Sequence, residues 1–377
     1  SYFMGKFIEH LKKIKIKFND FRNYKDFKKF WSKLDKSKIN NEELIFFIDN
    51  YVKSESYNFT SRFWSTRNVK HLSLLLNSEK DDELDYEISS DYFTWLESSN
   101  SRIKTLIDNL NDQVFDEKFT LAKKQKFITH HKSLQHNVIL MLLYKHLKLN
   151  DKKNYFDILK NKKSFTENNP FIEIENNKVS QDLVNSIIEL YEIEKNLKIF
   201  KKDIKMSFFE VGAGNGRMAD AITNIYNNSN YVICDIPIAS YICYKRFKKN
   251  YPNKKVVCVY NLNTTEEIMN SIKVNDIIFI LPHQIELIEE KYFDIVIALD
   301  CIHEMNKKTV KFYMKNIDKI SNFFFMKVWE NTDVPYEFNR NLSIHDNSYE
   351  FLSKWKLIKK EKSIFPSSFY NITFDLD

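Results

Sequence analysis

Glycine is nearly absent from this chain, with four in 377 residues, yet three of the four stand at Gly212, Gly214 and Gly216. Such a cluster marks a backbone turn or a close approach that a Cβ would forbid. The run Phe208–Val211 before it reads as a buried strand, and Arg217–Tyr226 after it reads as a helix. The same grammar continues downstream. Short apolar runs at Tyr231–Cys234, Ile277–Ile280, Asp294–Leu299 and Phe323–Val328 alternate with helical spacing at Ala239–Asn250 and Lys307–Ile320. That alternation predicts a parallel sheet covered by helices on both faces. The glycine loop then falls at the carboxyl end of the first strand, where open α/β sheets bind ligands. Near the chain end, Tyr349–Trp355 has helical spacing. Lys356–Lys362 and Phe369–Asp375 then read as two strands joined by a turn with Pro366.

Upstream the pattern is different. Phe7, Leu11, Ile14 and Phe18 have helical spacing, as do Val138–Leu149 and the set Asp182, Val184, Ile187, Ile188, Leu190, Tyr191 and Ile193. The break near Lys201–Asp203 predicts a mainly helical N-terminal domain over 1–200 and an α/β domain over 201–377. With 43% hydrophobic residues, 32 Phe and 20 Tyr, both parts have material for a core, which excludes the disordered class. The longest apolar runs fall well short of the roughly 18–20 residues that a membrane span needs. Lys12, Lys13, Lys15 and Lys17 interrupt the only candidate signal segment, so a cytoplasmic location is expected. The net charge of +7 comes from lysines spread along the whole chain, which reads as a solvated surface rather than a nucleic-acid face. Cys234, Cys243, Cys258 and Cys301 form no CxxC pair and read as small buried residues.

Spacing in the glycine loop separates three nucleotide-type ligands. A Walker loop needs Gly-Lys-Ser/Thr, which is missing, and a dinucleotide fingerprint needs glycine where Arg217 stands. The text Glu210-Val-Gly212-Ala-Gly214-Asn-Gly216 resembles motif I of class I S-adenosylmethionine-dependent methyltransferases. A carboxylate beside the loop suits a ligand whose amino-acid end carries an ammonium, whereas it would repel a pyrophosphate. Asp235, ending the second strand, matches the acidic residue that accepts hydrogen bonds from both ribose hydroxyls. Leu281-Pro282-His283-Gln284 follows the strand Ile277–Ile280, where that family places adenine contacts, and His283 or Gln284 would bond the exocyclic amine. If Lys255–Val259 is the third strand instead, the adenine site moves to Tyr260–Asn261. The expected cofactor contacts are Glu210, Gly212, Ala213, Gly214, Gly216, Asp235, Ile236, His283, Gln284 and Asp300.

The segments Phe209–Arg217, Cys234-Asp-Ile-Pro237, Ile280-Leu-Pro282 and Asp300-Cys-Ile-His-Glu-Met305 are similar to the bacterial sugar O-methyltransferase family. The likeness extends more loosely to Asn169-Pro-Phe-Ile and Ser180-Gln-Asp-Leu183. It implies a Rossmann-like class I methyltransferase sheet, parallel with a terminal antiparallel hairpin, behind a helical cap that helps bind the acceptor. It further implies an enzyme that moves the methyl group of S-adenosylmethionine to a hydroxyl of a sugar, glycan or nucleotide sugar, releasing S-adenosylhomocysteine. Cys301 stands where a small polar residue is expected.

A sugar hydroxyl is a weak nucleophile, so a base within hydrogen-bond reach helps an in-line transfer. After the fourth strand the chain offers Asp300, His303 and Glu304 together. His303 has the intrinsic pKa of a base near neutrality, with Glu304 as orienting group, acceptor ligand or base itself. A divalent metal on Asp300 is an alternative, although no metal site is expected. His130, His131, His136 and His345 read as packing or loop residues within reach of an acceptor pocket. Nucleic-acid methylation is the nearest rival, but the chain has neither an Asn/Asp-Pro-Pro-aromatic motif nor a Pro-Cys pair. A non-catalytic cofactor-binding subunit, methylation of another small molecule and, disfavoured by the loop spacing, an NAD-dependent oxidoreductase are the others. The acceptor's identity and the oligomeric state stay open.

Overall fold

The structure is a computed structural model that describes residues 24–77, 88, 92, 100–110, 134–167, 169–334 and 341–377. The expected spacing at Phe7–Phe18 and the residues His130 and His131 lie outside the described residues. In chain order the first helices are α1 Tyr24–Lys33, α2 Glu42–Lys53, α3 Arg62–Asn77, α4 Asn100–Asn109 and α5 Leu134–Asn150. Short helices α6 Tyr155–Leu159 and α7 Lys163–Thr166 lead to a hairpin of β1 Phe171–Ile174 and β2 Asn177–Ser180. That hairpin was not expected in a stretch read as helical. Helix α8, Gln181–Asn196, follows it directly, with Ser180 Oγ accepting from Leu183 N–H at 3.2 Å as an N-cap.

The α/β part then runs β3 Met206–Val211, α9 Arg217–Ile225, β4 Ser229–Cys234, α10 Pro237–Asn250, β5 Val256–Cys258, α11 Thr265–Val274 and β6 Ile277–Ile280. It continues with β7 Phe293–Leu299, α12 Lys307–Ile320 and β8 Ser321–Trp329. A small pair follows, β9 Asn331–Asp333 with β10 Asn341–Ser343, and the chain closes on the hairpin β11 Lys356–Lys362 and β12 Phe369–Asp375. The eight-stranded sheet has the order β11-β12-β8-β7-β3-β4-β6-β5. The strands from β8 to β5 are parallel, and β12 inserts antiparallel between β8 and β11. This is the expected Rossmann-like methyltransferase sheet with its terminal hairpin. Both candidate third strands exist: β6 lies beside β4, and β5 adds a parallel strand at the edge.

The order also fixes the crevice. From central β3 the chain moves outward to β4 and then to the edge strand β5, steps back to β6 between them, and crosses over to place β7 on the other side of β3, with Val211 opposite Ala298. Ligands bind where strand order reverses in this way. The glycine loop after β3 and the Asp300–Met305 segment after β7 are brought side by side there.

Side chains alternate across each strand, and each face has its own core. Phe209, Val211, Val232, Ile278, Val296 and Phe324 pack with α11 and α12. Phe208, Tyr231, Ile233, Phe279, Ile295 and Phe325 share one buried cluster with α8–α10 and with Phe27, Phe47, Leu72 and Leu140 from the helical half. The seam is built of aromatic rings. Phe47 of α2 meets Tyr241, Tyr244 and Tyr260, and Asn41 Nδ2 donates to Tyr241 Oη at 2.6 Å. The break near Lys201 is thus a change of element type, while the core runs on across it. The expected helix at Tyr349–Trp355 is only a 3-10 turn over Asn347–Tyr349. Asp346 Oδ1 and Asn347 Oδ1 accept from Ser348 N–H and Phe351 N–H, the local bonding that competes with helix. Among the described residues, no helix is long and apolar enough to cross a membrane.

Candidate active site

The loop after β3 is held in left-handed backbone at all three glycines, with φ of +68°, +57° and +78°. A Cβ on Gly212 would lie 2.6 Å from Cys301 Cβ, and one on Gly216 would run into Cys243 Sγ. Those two positions are therefore fixed by packing. Gly214 differs, since a Cβ there would meet only Tyr92 of the helical half at an ordinary 3.4 Å, so its left-handed backbone rather than crowding calls for glycine. Cys301 has a packing role here: its thiol donates to Val211 carbonyl at 3.1 Å and packs on Gly212.

Asp235 ties the loop to β4. Its Oδ2 accepts from Gly214 N–H and its Oδ1 from Ile236 N–H, both at 2.7 Å. Each carboxylate oxygen retains a further lone pair. Burial raises this carboxyl to about 6 against the opposing pull of those two N–H groups. Glu210 is buried behind the loop and accepts from Tyr231 Oη at 2.7 Å. Burial pushes it to about 7, with the nearby Asp235 charge adding to the rise.

Opposite the loop, Asp300 stands at φ +58° with its N–H on Lys327 carbonyl at 3.0 Å. Its Oδ2 lies 3.6 Å from Arg217 Nη2, and its buried Oδ1 has no hydrogen-bond partner, with Lys327 Nζ 3.9 Å away. Burial raises the carboxyl although both cations pull it down. Arg217 and Lys327 are themselves committed to Glu189 of α8, Lys327 Nζ at 2.7 Å. Burial alone would raise Glu189; the two cations override it and hold it low. Next to this network Asn215 Nδ2 donates to Asp182 at 2.9 Å.

Glu304 ends the short 3-10 turn after β7, half-buried under α3, where Trp64 Nε1 donates to its Oε2 at 2.6 Å. Burial raises it to about 7; the Trp64 bond and Arg67 lower it, while Asp300 and Asp235 raise it. The cap continues from Trp64 to Tyr92, whose rings stack at 5.3 Å and 5°, and from Tyr92 Oη to His71 Nδ1 at 3.2 Å.

Two expectations need correction. His303 is adjacent to Glu304 in sequence but turns away, 2% exposed and wedged between Trp329 and Phe369 with ring centroids at 5.6 and 5.3 Å. Burial, helped by Lys327, depresses it to about 3, which makes it a very weak base. Gln284 is fully buried and its amide is used up: Oε1 accepts from Leu281 N–H, and Nε2 donates to Val259 and Leu262 carbonyls, all at 2.8 Å. It braces β6 against β5 rather than facing a ligand. His283, in the turn after β6, bonds Ser56 Oγ of the helical half through Nδ1 at 2.7 Å. His345 pairs with Glu330 at 2.9 Å in an exposed loop, and His136 is buried in α5. Among the described residues, no group of three or more His, Cys, Asp or Glu is arranged to hold a metal ion.

Sequence reasoning missed Trp64, Tyr92, Glu189 and Lys327. One signal was present: Asp182, Ser186 and Glu189 recur at helical spacing, a polar stripe beside the apolar residues Leu183, Val184, Ile187, Ile188 and Leu190.

The sequence matches no protein-family model and no curated protein. Among solved structures, an S-adenosylmethionine-dependent methyltransferase from Clostridium acetobutylicum is similar at a TM-score of 0.35 and 8% identity, over 60% of this chain and 98% of that one. A Methanococcus jannaschii fibrillarin pre-rRNA processing protein gives 0.36 and 13%, over 58% and 86%. The mitomycin 7-O-methyltransferase MmcR gives 0.29 and 10%, over 52% and 56%. Likeness at this level bears on no residue or substrate, and the strand order itself carries the fold.

Proposed function

We propose that the protein is an S-adenosylmethionine-dependent methyltransferase that acts on a hydroxyl of a sugar or glycan and releases S-adenosylhomocysteine. One observation carries the cofactor reading. Four carboxyl groups converge on the sheet edge at Glu210, Asp235, Asp300 and Glu304, all raised by burial, with Asp235 adding to the rise at Glu210 and Asp235 and Asp300 to the rise at Glu304. Such an edge favours a cationic ligand, and S-adenosylmethionine carries a sulfonium and an ammonium. Two details fit it further. Gly214 is held at φ +57° with Tyr92 of the helical half lying over it, and Asp300 Oδ1 is buried without a hydrogen-bond donor, which an ammonium would supply.

In this reading Gly212–Gly216 and Ala213 cradle the ligand, and the spare lone pairs of Asp235 take the ribose hydroxyls. Asp300 and Glu210 face the amino-acid end, and Ile236 and His283 flank the adenine. The bound cofactor supplies an electrophilic methyl group. The chain's own contribution is the proton and the geometry. Glu304 accepts the acceptor's hydroxyl proton, and a carboxyl at about 7 is poised for that near neutrality. Trp64 holds its carboxylate through the indole N–H. The cap over the crevice excludes water and supports acceptor binding by the helical half.

The test is incubation with methyl-labelled S-adenosylmethionine and a panel of nucleotide sugars, glycans, nucleic acids and small phenols. Label in a sugar or glycan is the expected result. Label in nucleic acid or a phenol alone would overturn the sugar reading.

A further inference from the structure

Helix α3 brings more to the crevice than Trp64. Trp64, Asn68 and His71 follow one another at i, i+4 and i+7 and share one helix face. The two outer members define where that face looks: Trp64 reaches Glu304, and His71 reaches Tyr92, which lies on Gly214. Asn68 sits between them. It is fully buried at 0% exposure, and both its Nδ2 and its Oδ1 lack a hydrogen-bond partner. Leaving both atoms of a buried amide unpaired is costly, and natural proteins rarely do so without a ligand or water to serve them.

The chemistry of the missing partner can be read from what is left open. Asn68 offers a donor and an acceptor on one group. An ammonium supplies only donors and a carboxylate only acceptors, so neither satisfies both atoms. A hydroxyl does both, and neighbouring hydroxyls of a sugar ring do so most fully. We propose that Asn68 is an acceptor-binding residue that exchanges hydrogen bonds with a hydroxyl next to the one presented to Glu304. This rests on the reading of Glu304 and the glycine loop as the reacting centre.

The 377-residue chain is compared with Asn68→Leu, which replaces the amide by an apolar group of similar size, and with Asn68→Ala, which only deletes atoms. Without ligand, Asn68→Leu should unfold about 2–4 °C higher than wild type, since an unpaired amide is gone. Calorimetry should show unchanged S-adenosylmethionine binding in both variants. A thermal-shift panel of methyl glycosides is then run with S-adenosylhomocysteine present and N-methylacetamide as the amide control. At least one glycoside should bind wild type roughly 10–100-fold tighter than either variant. Equal shifts by every glycoside in all three proteins would overturn the assignment, as would a shift by N-methylacetamide alone. Loss of S-adenosylmethionine binding in the variants would also overturn it by moving Asn68 to the cofactor. If wild type fails to bind S-adenosylmethionine while the glycoside difference persists, the cofactor reading falls and the hydroxyl site stands.

Discussion

Replacing Glu304 by Gln removes a charge that the fold holds at some cost. The carboxyl moves from an ordinary 4.5 to about 7, a gap worth about 3 kcal/mol once it is ionised. Part of the side chain reaches solvent, so about 2 kcal/mol is the expected figure. The sign follows from the direction of the shift. A raised carboxyl contributes its stability below 4.5, where folded and unfolded forms are both protonated, and loses it as the pH rises through about 7. Glu304→Gln keeps an oxygen for Trp64 N–H and carries no charge. Relative to wild type it should therefore gain stability between pH 4.5 and 7 and hold a constant advantage above that. Urea unfolding of both proteins from pH 4 to 9 reads this directly. Turnover should fall roughly 10²–10⁴-fold if the group is the base, and the wild-type rate should decline below about pH 7. A Gln variant less stable than wild type at pH 8, or a stability difference independent of pH, would refute the reasoning.

Other substitutions separate the remaining roles. His303→Phe should keep the packing against Trp329 and Phe369, leave the unfolding midpoint equal or higher, and preserve the acid limb of the rate profile; a vanished limb would return the base to His303. Lys327→Met strips Glu189 of one of its two cations deep in the core, so urea unfolding should show a loss of about 3–5 kcal/mol. Gly214→Val puts a branched side chain at φ +57° on the cap-facing side of the loop, and calorimetry should find S-adenosylmethionine binding abolished with the sheet's circular dichroism intact.

The α/β half was legible because its signals are local. Five of the expected strands match β3, β4, β6, β7 and β8, and Lys356–Lys362 and Phe369–Asp375 coincide with the hairpin strands. Glycine scarcity made the loop unmistakable. What could not be read was long-range. Trp64 lies 240 residues from the carboxylate it touches, and nothing in the local sequence joins the two. His303 looked like a base because imidazole has the right intrinsic pKa, but the turn after β7 directs it into the aromatic wedge of Trp329 and Phe369. Gln284 looked like an adenine contact because of its place after β6, yet the added edge strand β5 claims its amide. The hairpin β1–β2 is too short to display a period of its own.

The central claim is that the edge built from Gly212–Gly216 and Asp235 binds S-adenosylmethionine. Titration calorimetry at pH 7.5 with S-adenosylmethionine, S-adenosylhomocysteine, NAD and ATP tests it most directly. Binding of the first two, weakened by about 1.5–3 kcal/mol in Asp235→Ala, is the predicted result. Binding of NAD or ATP with neither adenosyl ligand bound, or an Asp235→Ala variant with unaltered affinity, would contradict it.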